Sequence, residues 1–113
     1  MSTVKNIHTI PKGRTPMAEQ EPQVRAGNFE EVSLGYTLPE ALREADRCLE
    51  CKKPRCIAGC PVGIDIPGFI RAIAQQDMRK AYEILRQDNP LPAVCGRVCP
   101  QESQCEVRCV VGV

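Results

Sequence analysis

Apolar residues recur at helical spacing from the middle of the chain onward and predict a series of short helices. The first is predicted to begin near Thr37, because Pro39 suits a first helical turn and Glu40 suits the positive end of the helix dipole. We expect this helix to run into Cys48 and Cys51. Its apolar stripe, expected to face a core, consists of Leu38, Leu42, Ala45 and Leu49.

Two aspartates predict the starts of the next two helices. Asp65 can cap a helix with Pro67 in its first turn, and Asp77 can cap another that ends at Asn89–Pro90. Further short helices are predicted over 92–97 and 104–109, and no alternating pattern is long enough to predict a strand. The apolar stripes expected to face the core are Ile66, Phe69, Ile70, Ile73 and Ala74, and then Met78, Ala81, Tyr82 and Leu85.

The first third of the chain has a different composition. Residues 1–35 contain scattered Pro, Gly and charged residues without a sustained period, which predicts an extended or mobile arm. His8 lies in this arm without a neighbouring ligand residue, and we expect it to be solvated. We therefore expect two parts, an N-terminal arm over 1–35 and a helical domain over 36–113.

Composition indicates that this small domain needs a cross-link. The 113 residues include eight cysteines but only two Phe, two Tyr and no Trp, so the apolar area available for a core is limited. Disulfides, metals or partner chains usually supplement such cores. We find no apolar run of the length expected for a signal peptide or a transmembrane helix. This predicts a cytoplasmic protein with reduced thiols, which favours metal binding.

The cysteine spacing favours iron–sulfur clusters. The bacterial ferredoxin run is C-x2-C-x2-C-x3-C-P, and its fourth cysteine binds the other cluster of a two-cluster protein. The first group here has that plan with a wider middle gap, so Cys60 is expected to point away from its neighbours. The two groups are Cys48-x2-Cys51-x4-Cys56-x3-Cys60-Pro61 and Cys95-x3-Cys99-Pro100-x4-Cys105-x3-Cys109.

This crossing predicts two shared cages. A distant cysteine must close the first cage, and Cys109 is our choice for it. The second cage needs a fourth ligand that the spacing leaves open. The predicted ligands are Cys48, Cys51, Cys56 and Cys109 for the first cluster, and Cys60, Cys99 and Cys105 for the second. Basic residues close to the cysteines in sequence could offset the cluster charge or dock an acidic partner: Lys52, Lys53, Arg55, Arg97 and Arg108.

Two other chemistries use cysteines in such numbers. Structural zinc also takes four thiolates, but usually from paired C-x2-4-C knuckles that do not require Cys-Pro. Four disulfides would fit an exported mini-protein. A net charge of +1 gives no reason to expect a nucleic acid or a membrane surface as partner.

The patterned region resembles a known family of iron–sulfur domains. The segments AGNFEEVSLGYTLPEALREADRCLECKKPRCIAGCPVGIDIPGFI and NPLPAVCGRVCPQESQCEVRCVVG resemble the N-terminal domain of the glutamate synthase small (beta) subunit. The same domain type occurs in dihydropyrimidine dehydrogenase and in the large subunit of NADH-dependent ferredoxin:NADP oxidoreductase. The resemblance covers about residues 26–112 and includes both Cys-Pro pairs.

The resemblance implies an all-α, α-helical ferredoxin-type domain stapled by two [4Fe–4S] clusters. It implies Cys48, Cys51, Cys56 and Cys109 as ligands of one cluster, and Cys60, Cys99 and Cys105 as three ligands of the other. In dihydropyrimidine dehydrogenase the remaining ligand is a glutamine beyond the last residue of this chain, and the position of Cys95 is a bystander. Cys95 or Glu102 could substitute here.

The resemblance also implies electron transfer within a larger oxidoreductase. In the family, the clusters pass electrons between an FAD- and NADPH-binding module and a second redox centre on a partner subunit or domain. This chain has no G-x-G-x-x-G fingerprint, so FAD and NADPH are expected only in parent domains outside it. We expect no catalytic side chain of its own, and the alternative function is a metal-stapled docking module, with zinc or iron–sulfur, for subunit assembly.

Overall fold

The computed structural model describes residues 13–111, so His8 and the rest of 1–12 lie outside the described part. It is all-α, as predicted, and within 13–111 its only β-type pairing is an isolated antiparallel bridge between Glu19 and Ser33. No helix in this range has the length and hydropathy required to cross a bilayer. The helices are α1 Pro22–Arg25, α2 Leu38–Asp46, α3 Arg55–Gly59, α4 Ile66–Ala74, α5 Met78–Asp88, α6 Pro92–Val98 and α7 Cys105–Arg108, with a 3₁₀ turn at Gln101–Ser103.

Helix α2 starts where the sequence predicts but ends earlier. Thr37 and Glu40 form a capping box, in which each side chain accepts a hydrogen bond from the other residue's backbone N–H. The expectation that this helix reaches Cys48 and Cys51 is wrong. The backbone N–H of Cys48 bonds to the Ala45 carbonyl, three residues back, at 3.2 Å, and the helix does not continue beyond this tightened turn. Both cysteines therefore lie in the loop that follows.

The predicted aspartate caps are confirmed. The Asp65 carboxylate accepts from the backbone N–H of Gly68, and Asp77 accepts from that of Lys80, both at 3.1 Å. Helix α5 ends at Asp88, next to the predicted stop, and α6 exceeds its predicted range by one residue. The last helix, α7, is shorter than predicted, and α1 and α3 were not predicted.

The buried apolar core is small. Within 13–111 its members are three alanines and one isoleucine, and no large side chain is fully buried: Ala45, Ile64, Ala72 and Ala81. The expectation that the predicted stripes all face a core is wrong for Leu38, Met78 and Tyr82, which are 50%, 42% and 55% exposed. Burial of this little apolar surface gives a weak hydrophobic contribution to stability.

The helices form two packed groups. Helix α4 lies against both α2 and α5, whereas α3 lies against α7. At the α3–α7 contact, a Cβ added to Gly59 would come 2.7 Å from the Gln104 carbonyl oxygen and 3.1 Å from the Cys105 Cα. The end of α3 therefore meets the start of α7, and Cys56 at the start of α3 interacts with Cys109 directly after α7, so the two helices run antiparallel and approach closely.

Residues 13–35 are irregular apart from α1 and the bridge between Glu19 and Ser33, and they contact the helical domain at specific points. The Tyr36 hydroxyl donates to the Thr15 carbonyl at 2.8 Å, and Thr15 itself is buried. Arg97 of α6 forms an ion pair with Glu31 at 2.7 Å. The described part of the arm is therefore anchored at both ends.

The capping box predicts a measurable stability effect. Thr37→Ala removes the hydroxyl that accepts from Glu40, so we expect a loss of about 1 kcal/mol and a thermal midpoint lower by roughly 3–6 °C. Thr37→Ser keeps the hydroxyl and is the matched control. Thermal unfolding of the anaerobically purified chain, followed by circular dichroism, measures both, and equal losses in the two variants would contradict the capping role.

The α3–α7 contact predicts a steric effect at Gly59. Gly59→Ala must push the two helices apart, which we expect to cost about 1–3 kcal/mol even though alanine favours a helix over glycine. Gly27→Ala is the control, because its Cβ would have only an ordinary contact of 3.7 Å with the Val24 carbonyl oxygen. A Gly59→Ala thermal midpoint equal to that of Gly27→Ala would show that α3 and α7 do not depend on this approach.

Candidate metal centre

Each of three short helices carries one cysteine within it and a second at the residue directly after it. These pairs are Cys56 and Cys60 on α3, Cys95 and Cys99 on α6, and Cys105 and Cys109 on α7. The second member of each pair has extended backbone angles, with ψ between 123° and 139°. The chain therefore turns away from the helix at that residue, and Pro61 and Pro100 follow two of them.

The antiparallel packing of α3 and α7 brings together cysteines that are far apart in sequence. Because the end of α3 meets the start of α7, the first cysteine of α3 lies at the level of the second cysteine of α7. Burial raises the pKa of the Cys56 thiol, and the charges of Cys109 and Cys48 raise it further. Cys48, Cys56 and Cys109, which the spacing assigns to one predicted cluster, are therefore near enough for their charges to interact.

A second set of thiols is gathered around Cys99. Burial raises the pKa of Cys99, and the charges of Cys95 and Cys60 act in the same direction. Burial likewise raises the pKa of Cys105, with further increases from Glu106 and Cys99. The four cysteines of this set are Cys60, Cys95, Cys99 and Cys105. Cys95, whose role the sequence leaves open, interacts with Cys99, which lies one helical turn further along α6.

The first set lines an apolar cavity of about 580 Å³ between α2, α4, α3 and α7. Ile66, Ile70 and Ile73 of α4 form part of its wall, and five thiols line it: Cys48, Cys51, Cys56, Cys105 and Cys109. Cys105 contributes to this wall and also faces Cys99, so it lies between the two sets. An apolar enclosure with several thiols is the environment in which solvent exclusion tunes an iron–sulfur cluster.

The donors present fit iron–sulfur clusters. No disulfide joins any of the eight cysteines, all of which lie in the described range. Within 13–111 no three His, Cys, Asp or Glu side chains converge tightly enough to hold a single metal ion. Thiolates around a four-iron core lie further apart than those around one ion, because the inorganic core lies between them.

A buried ionic network lies beside the first set of thiols. Arg47, which follows α2, donates to Glu44 and, at 2.7 Å, to the Val111 carbonyl two residues beyond Cys109. Glu44 also accepts from the Thr15 backbone N–H at 2.8 Å. Burial alone would raise the pKa of Glu44, but these hydrogen bonds and the Arg47 charge outweigh it and lower the pKa. The network ties the arm, α2 and the chain after α7 together.

Sequence reasoning missed Arg47, Glu50, Arg71 and Gln101. Glu50 lies between Cys48 and Cys51 and pairs with Arg71 of α4 at 2.7 Å. The Gln101 side chain lowers the pKa of Cys99, whereas Glu102, one of the two predicted substitute ligands, is exposed. The long separation between Glu50 and Arg71 explains why their pairing was missed, because no local spacing links residue 50 to residue 71. The five basic residues expected near the clusters are all exposed: Lys52, Lys53, Arg55, Arg97 and Arg108.

Comparison with known proteins finds a matching family over most of the chain. Residues 25–113 match the family described as dihydropyrimidine dehydrogenase domain II, 4Fe-4S cluster. The chain is also similar to curated relatives. It is 36% identical over 102 residues to the glutamate synthase [NADPH] small chain of Halomonas elongata, covering 90% of this chain and 22% of that protein.

Two more relatives are matched over most of this chain and over a small part of their own length. The chain is 33% identical to the glutamate synthase [NADPH] small chain of Azospirillum brasilense, covering 93% of this chain and 21% of that protein. It is 40% identical to the NAD-dependent dihydropyrimidine dehydrogenase subunit PreT of Escherichia coli, covering 72% of this chain and 20% of that protein. The chain thus spans about a fifth of the length of these relatives. The helical fold, the cysteine pairs and the match over residues 25–113 together show that the chain belongs to the 4Fe-4S domain family of dihydropyrimidine dehydrogenase domain II.

Proposed function

We propose that this domain holds two [4Fe–4S] clusters and relays electrons between a flavin and a second redox centre. The observation that carries the proposal is the antiparallel packing of α3 against α7, which sets thiols of the two cysteine groups side by side. Membership in a 4Fe-4S family supports iron–sulfur chemistry. Eight thiols in two sets supply enough donors for two four-iron clusters.

The first cluster is assigned to Cys48, Cys51, Cys56 and Cys109. The charge interactions of Cys56 with Cys48 and Cys109 support this set, and Cys51 lines the same cavity. The α3 and α7 helices would then be cross-linked through the cluster. The metal would supply a one-electron redox couple, and the chain sets its position, its hydrogen bonds and its shielding from water.

The second cluster is assigned to Cys60, Cys99 and Cys105, with Cys95 as the fourth ligand. Cys95 is placed one helical turn before Cys99, and its charge is the largest thiolate influence on Cys99. Glu102 is exposed on the 3₁₀ turn, which makes it the weaker choice. A ligand from outside this chain would leave Cys95 as a bystander instead.

The proposed relay role rests on the larger proteins in which similar domains occur. Two of the relatives are named as NADPH-dependent glutamate synthase chains, and this chain matches about a fifth of each. We propose parent domains that bind FAD and NADPH, and a large redox subunit or domain as the partner for the other end of the relay. Within this domain the clusters also hold the helices together, so a docking role and a redox role are compatible.

Spectroscopy of single-cysteine variants tests the proposal. Dithionite reduction of the anaerobically purified chain should give electron paramagnetic resonance signals of two [4Fe–4S]⁺ clusters that interact. In Cys109→Ser we expect loss or change of one signal, and in Cys60→Ser loss or change of the other, because the two residues belong to different cages.

The paired variants serve as controls for each other. A reduced wild-type chain without an iron–sulfur signal would contradict electron transfer and favour a purely structural metal site. If Cys109→Ser and Cys60→Ser abolish the same signal and leave the other, the crossing assignment is wrong.

A further inference from the structure

Glu50 has an unusual backbone conformation in the first cysteine loop. Its φ is +52°, in the left-handed region that favours glycine, although it carries a long charged side chain. In this conformation its backbone N–H points to the Cys48 sulfur at an N···S distance of 3.4 Å. Hydrogen bonds to cluster sulfurs favour the reduced, more negative state of a cluster. The left-handed conformation of Glu50 thus directs its backbone N–H to Cys48, a proposed cluster ligand.

The Glu50 side chain is held by a charge from another helix. The Arg71 Nε donates to the Glu50 carboxylate at 2.7 Å; the Glu50 side chain is 14% exposed and that of Arg71 is 49% exposed. The pair joins the loop that carries Cys48 and Cys51 to α4. The charge of Cys48 also contributes to the raised pKa of Arg71, after the larger effects of Glu50 and Asp65, so the guanidinium acts on the thiolate as well. The Glu50–Arg71 ion pair therefore belongs to the loop that carries Cys48, and the Arg71 charge acts on the Cys48 thiolate.

We propose that Glu50 and Arg71 are positioning residues whose paired charges set the reduction potential of the cluster at Cys48. The inference rests on the proposed function, since it requires that cluster to be present. On reduction, the cluster gains one electron from an external donor, no bond breaks, and its charge becomes more negative by one. A fixed positive charge nearby favours that change, and a fixed negative charge opposes it. In the intact pair, the opposite effects of the two charges on the reduction potential nearly cancel.

Charge variants of the 113-residue chain test this directly. Glu50→Gln leaves the positive charge of Arg71 without a counter-charge, so the reduction potential of the cluster should rise. Arg71→Met leaves the negative charge of Glu50 without a counter-charge, so the reduction potential should fall. We expect each to change the ratio of reduced to oxidised cluster at a fixed potential by about tenfold, which is ~59 mV for a one-electron couple. The double variant restores the balance of charge and should return close to wild type, as should Arg71→Lys.

Matched controls come from the exposed pair Arg79–Glu83 of α5, whose side chains are 90% and 59% exposed. Arg79→Met and Glu83→Gln make the same chemical changes at a pair that faces solvent and should leave both potentials unchanged. The measurement is a redox titration monitored by electron paramagnetic resonance, with iron content determined for every variant. The cluster assigned to Cys60, Cys99 and Cys105 is the internal reference and should not shift.

The outcomes separate the inference from the function on which it rests. Opposite shifts in the two single variants, with recovery in the double variant, support charge tuning. Unchanged potentials at full iron content, or shifts in the same direction, overturn the inference and leave the electron-transfer function intact. Loss of the cluster in all Glu50 and Arg71 variants, including Arg71→Lys, overturns it in favour of a purely structural pair. A wild-type chain without clusters overturns both.

Discussion

The close contact between α3 and α7 determines how the two cysteine groups meet. Gly59 permits the approach, and the two helices each carry a cysteine pair with the same spacing. Because the helices run in opposite directions, the first cysteine of one pair faces the second of the other. This helix packing is compatible with the crossing that the local spacing predicts, and the proposed assignment brings two distant segments of chain to the same cages.

The α3–α7 contact is important because the hydrophobic core contributes little to the stability of the domain. The described buried apolar core consists of small side chains, three of them alanines. The Arg47 network adds hydrogen bonds that join the arm to the chain after α7, but polar contacts of this kind contribute modestly to net stability. Metal binding, which is coupled to folding in small metalloproteins, is then the main source of cohesion under the proposed function.

Local sequence rules predicted the parts of this fold that local physics determines. Asp65 and Asp77 cap α4 and α5 as expected, since a cap depends on neighbours three residues away. The end of α2 at Asp46 was not predicted, because Leu49 continues the apolar spacing of the helix beyond that residue. In the structure, the tightened turn from Ala45 to Cys48 ends the helix first. The pairing of Glu50 with Arg71 was also missed, since it depends on α4 packing beside the cysteine loop. The grouping of the thiols into two cages stays a prediction, made possible because cysteine spacing reports a chemical requirement rather than a local conformation.

The central claim, that two four-iron clusters are shared between the two cysteine groups, is tested most directly by anaerobic analysis of iron and acid-labile sulfide per chain. The account predicts about eight of each, with both lost together when the metal is chelated. A chain that binds about four of each after careful reconstitution, or binds zinc without sulfide, would contradict it.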